Sequence, residues 1–178
     1  MKKNLATFLL VISIHCFAVA QSGTELITTQ RIGVFKLKTT KTDIEKIIGK
    51  KIELESKDYL DSVQINYGGV NYILVFSQDY GDDGKKLAER KLYAVSSTTT
   101  SLKTKSLIGI GSTKAEILLA YDKFDLTIYN DYDYKQKLNP KDKIQFICLR
   151  DFDGGTQITF TTENRVVKKI EVSIDEGE

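Results

Sequence analysis

Few residues of this chain could do covalent or metal chemistry, and their placement works against it. The 178 residues include one histidine and two cysteines. His15 and Cys16 lie in an apolar N-terminal run, Leu5 to Val19. Once that run is set aside, Cys148 has no histidine to activate it, so a nucleophile paired with a histidine base is excluded. The same shortage excludes a structural zinc site. Cys148 falls in the apolar stretch Ile144 to Leu149 and reads as a core residue. Asp79 to Gly84 resembles the start of a calcium loop. Gly81 stands where the second ligand belongs, however, and Glu89 comes one position early for the closing carboxylate. It reads as a solvated turn, as do Asp151, Asp153 and the glycines Gly154 and Gly155. Paired carboxylates for glycoside hydrolysis need a cleft, which such sites commonly line with aromatic platforms, and the chain has no tryptophan. The sequence therefore predicts no catalytic residue, no cofactor and no metal.

Recognition chemistry is better supplied. There are nine tyrosines, and Tyr129, Tyr132 and Tyr134 alternate with Asp131 and Asp133 at the head of a long segment reaching Lys143. Tyrosine offers amphipathic contact area at low entropic cost. Gln64 and Asn66, and likewise Gln157, Thr159 and Thr161, alternate with apolar residues along two predicted strands. They are polar but uncharged, so burying them against a partner costs less than burying charge. These residues form the expected binding surface.

The N-terminus sets the expected compartment. Lys2 and Lys3, the apolar run and Ala18-Val19-Ala20 have the order of a secretory signal peptide cleaved near Ala20. The run is short for a membrane span, and His15 interrupts it. Residues 1–20 are thus expected to be a leader, and the protein to be secreted or periplasmic. Without Lys2 and Lys3, the 26 basic residues fall to 24 and match the 24 acidic ones. A neutral chain lacks the basic patch that nucleic acid demands. With Cys148 alone remaining, no intrachain disulfide can form, so stability must come from packing.

Two helix starts organise the chain beyond the leader. Thr113 precedes a helical pattern with Glu116 three residues on, and Thr40 precedes another with Asp43 in the same place. Each pair has the form of a capping box. Ile44, Ile47 and Ile48 make one apolar stripe; Ile117, Ala120, Tyr121 and Phe124 make the other. The two segments, Val34 to Lys50 and Leu107 to Lys123, align at an offset of 73. Alternating runs bounded by Gly68-Gly69, Asp153-Gly154-Gly155 and Glu163-Asn164 read as hairpin strands. The expected fold is α+β: two tandem repeats, 21–102 and 103–178, each a helix followed by antiparallel strands, with the helices on one face of the sheet. Thr98 to Ser106 reads as the boundary between them.

The recurring order of an apolar residue, Gly, Ser or Thr, a basic residue, an acid and an apolar stripe, carried by Ile110 to Tyr121 and more faintly by Leu37 to Ile48, resembles the β-lactamase inhibitor protein family. It is also similar to small outer-membrane-assembly lipoproteins that share this helix motif. The chain departs from the family in having Ser112 where a methionine is usual, and Lys38 where the second turn glycine would fall. The resemblance implies a non-catalytic fold that binds another protein of the cell envelope or exterior, without implying β-lactamase as the target. The alternative is a carbohydrate- or small-ligand-binding domain, or a weak carboxylate-based hydrolase.

Overall fold

Hairpins dominate the chain, and the helices are two turns long. The structure, a computed structural model, describes residues 26–54, 59–80, 84–131 and 144–177. Residues 1–20, expected to be a leader, and the predicted site residues Tyr132, Asp133 and Tyr134 lie outside them. The first three strands are short: β1 (Leu26–Thr28), β2 (Arg31–Ile32) and β3 (Phe35–Lys36). Helix α1 (Lys41–Ile48) leads to β4 (Leu60–Tyr67), β5 (Val70–Ser77) and β6 (Lys91–Ser97). After β7 (Lys103–Thr104) and α2 (Lys114–Ala120) come β8 (Leu126–Asn130), β9 (Ile144–Asp151), β10 (Thr156–Glu163) and β11 (Val166–Ile174).

Seven strands form one antiparallel sheet in the order β4-β5-β6-β11-β10-β9-β8. The short strands form a second sheet, β3-β2-β1-β7, in which β1 and β7 run parallel. Alternation along the long strands sends Ile65, Tyr72, Leu74, Phe76, Val95, Ile147, Ile158, Phe160, Ile170 and Val172 to a single core. Phe35 from the small sheet packs edge-on against Tyr72 at 4.8 Å, and Tyr121 of the α2 C-cap stacks on Phe160 at 6.1 Å. The small sheet and both helices contribute to that core.

This overturns the expectation of two α+β repeats of a helix followed by antiparallel strands. The protein is mostly β, 50% strand and 11% helix in two sheets. The helices, of eight and seven residues, are too short to roof a sheet of seven strands, and the small sheet supplies the missing apolar cover. The segment read as a boundary holds β7, which pairs with β1 from the start of the described chain. Both apolar stripes are also narrower than expected. Ile44 and Ile117 are fully buried, but Ile47 and Phe124 stay exposed. Phe124 lies beyond the last helical residue and so leaves the stripe.

What recurs between the halves is the entry to each helix. The Lys38 N–H donates to the Leu92 carbonyl and the Lys41 N–H to that of Arg90, clipping the chain before α1 to the start of β6. The Gly111 N–H donates to the Val167 carbonyl and the Lys114 N–H to that of Arg165, clipping the chain before α2 to the start of β11. Gly111 sits at φ 88°, and Lys38, at the matching position, adopts φ 66°.

Candidate functional site

The seven-stranded sheet has two faces, and only one holds the core. Register fixes which residues share the other. Asn71, Ile73 and Val75 of β5 lie beside Ala94 and Ser96 of β6, and these beside Glu171 and Ser173 of β11. Gln157, Thr159 and Thr161 of β10 follow, then Arg150, Cys148 and Phe146 of β9, then Thr127 and Tyr129 of β8. Gln64 and Asn66 complete the face on β4.

At the β4 end this face is hollowed. A groove of about 440 Å³ is lined by Gln64, Asn66, Asn71, Ile73, Ser96 and Lys169, among others. Small side chains help make it: Ser96 and Ser97 on its floor are both buried. The Asn66 side-chain amide donates to Asn71 Oδ1 at 2.7 Å, and the Asn71 N–H donates to Thr99 Oγ1 at 3.3 Å. Lys169 pairs with Glu171 at 2.8 Å, leaving the middle of the face close to neutral.

At the opposite end the face is aromatic. Tyr129 stacks on Phe146 with ring centroids 5.1 Å apart. Cys148 Sγ lies 3.7 Å from the Tyr129 hydroxyl and 3.3 Å from Thr159 Oγ1. Burial, followed by the contact with Cys148, pushes the Tyr129 hydroxyl up to about 12. Cys148 is indeed buried, yet it belongs to this face and not to the hydrophobic core. The apolar run Ile144–Leu149 hid that assignment, because Phe146 and Cys148 are as apolar as the core residues alternating with them.

The predicted residues therefore divide into two groups on one face. Gln64 and Asn66 lie in the groove. Tyr129 and Thr159 each contact Cys148 at the aromatic end, and Gln157 donates to Ser173 Oγ at 3.3 Å between the two. Asp131 follows β8, its N–H donating to the Ile144 carbonyl. Four strand spacings separate β4 from β10 and six separate it from β8, roughly 19 and 29 Å at the usual inter-strand distance. Sequence reasoning missed Asn71, Ser96 and Phe146, whose outward direction depends on register.

No protein-family model matches the chain, and no curated protein matches it. Among solved structures, a DUF4309 family protein from Bacillus subtilis, YjgB, is similar over 85% of this chain and 88% of that one, at 12% identity and a TM-score of 0.47. Among the described residues, no helix is long and apolar enough to cross a membrane.

Proposed function

We propose that this protein is an exported, non-catalytic binding module that engages another protein through the outer face of its seven-stranded sheet. The observation that carries the reading is the face itself. It runs from the Gln64–Asn66 groove to the Tyr129–Phe146 stack with mostly neutral polar side chains between. A surface roughly 29 Å across suits a macromolecule better than a small substrate. An aromatic anchor at one end and adaptable amides at the other match what protein interfaces use. The resemblance of the α2 entry motif to the β-lactamase inhibitor proteins supports the same reading. A second reading is a carbohydrate, which the three carboxamides of Gln64, Asn66 and Asn71 in one groove favour.

A photo-crosslinking side chain at position 66, compared with one at Lys50 just after α1, separates these readings in cells that make the protein. The proposal expects one dominant protein adduct from position 66 and none from position 50. Equal adducts from both positions, or glycan-array binding with no adduct, would contradict it.

A further inference from the structure

A second cavity, remote from the outer face, has the chemistry of an anion site. It lies where the small sheet meets the β9–β10 turn, with the Thr29 hydroxyl donating to Asp151 Oδ2 at 2.9 Å across the junction. The cavity measures about 390 Å³ and is lined by Gln30, Lys36, Leu37, Lys38, Thr39, Gly154 and Thr156. Two cations and several neutral donors line it, and among the described residues no carboxylate does.

Two independent observations ask for a ligand there. Thr156 is 2% exposed, and its hydroxyl has no hydrogen-bond partner among the described residues. A buried polar group left unsatisfied costs about 1–3 kcal/mol, so such groups usually answer to a ligand or water. The second concerns charge. Arg31 and Lys36 stand directly opposite each other in the β2–β3 ladder, an arrangement that repels. Lys38 lines the same cavity two residues further on. Among the described residues, none of the three cations forms an ion pair. An anion seated between Lys36 and Lys38, within reach of Thr156, relieves both problems.

We propose that this cavity binds a small oxyanion, the phosphate or carboxylate group of a small molecule, with Lys36 and Lys38 supplying charge and Thr156 a hydroxyl donor. The site stands independently of the outer face. Its test is a titration of the full chain with inorganic phosphate and, separately, with succinate, each against sodium chloride at matched ionic strength and followed by amide NMR.

The expected result is saturable shifts at Lys38, Thr39 and Gly154 with at least one of the two anions, and the one that binds identifies the group recognised. Lys36→Met should weaken binding about tenfold, the loss of one charge-assisted contact. Because it also removes the repulsion with Arg31, it should leave the thermal midpoint of the anion-free protein unchanged or raised. Thr156→Val should weaken binding several-fold, and Lys50→Met should leave it unchanged. Shifts no larger than those with chloride, or affinity retained in a Lys36→Met, Lys38→Met double variant that still folds, would overturn the proposal.

Discussion

Glu45 shows how one side chain holds a corner of this molecule. It is 6% exposed and accepts from the Ile52 N–H at 2.9 Å and from the ammonium groups of Lys41 and Lys51. These contacts fold the chain after α1 back over the helix. The Ile52 N–H is the largest influence, followed by the two lysines, and together they hold the Glu45 carboxyl at about 2 against an ordinary 4.5. A depressed folded-state value means that the unfolded chain takes up the proton first. The stabilisation is therefore complete above the unfolded value and is lost as pH falls through the folded one. Urea midpoints measured from about pH 5 down to about pH 2 should fall more steeply for the natural chain than for Glu45→Gln. Parallel curves would show that Glu45 carries no such linkage. Of its contacts only the i,i+4 pair with Lys41 is visible in the sequence, since Lys51 and Ile52 lie past the helix and meet Glu45 only once the chain has turned at Gly49, φ 70°.

At the scale of the element, what was legible was what is local. Both N-caps form as their spacing predicts. Thr40 accepts from the Asp43 N–H, and Thr113 and Glu116 complete a reciprocal box, the Thr113 N–H donating to Glu116 Oε2 at 2.6 Å. Thr113→Ala should destabilise by about 1 kcal/mol through loss of that cap. Ile117→Ala, at a fully buried position, should cost roughly 2–5 kcal/mol. Equilibrium unfolding of the two variants checks the order, and equal, negligible losses would mean that α2 does not anchor the core. Strand β7 was not legible, because its two residues, Lys103 and Thr104, carry no alternation to read. Its pairing depends instead on contacts made after folding. Tyr121 donates its hydroxyl to Thr104 Oγ1 at 2.8 Å. Gly109 passes so close to β7 that a Cβ there would lie 2.4 Å from the Leu102 carbonyl oxygen.

Across the whole molecule, the sheet order decides what the surface can do. Strands from the two halves of the chain join at the β6–β11 pairing, which makes one broad face from two hairpin systems. Alternation in β4 and β10 was enough to place Gln64, Asn66, Gln157 and Thr159 away from the core. It could not show that the first two share a groove with Asn71 and Ser96, because that neighbourhood is set by cross-strand register. A rival surface exists in the exposed apolar residues Leu119 on α2 and Leu107 ahead of it. The most direct test of the central claim compares the two surfaces, using the protein adduct recovered by crosslinking as ligand. Gln64→Arg combined with Asn66→Arg puts two charges into the groove at positions whose side chains are exposed, so folding should be preserved. The account predicts that this pair weakens the measured affinity by about tenfold or more, while Leu119→Arg leaves it unchanged. Full affinity in the groove variant, with loss in Leu119→Arg, would contradict it and move the binding surface to α2.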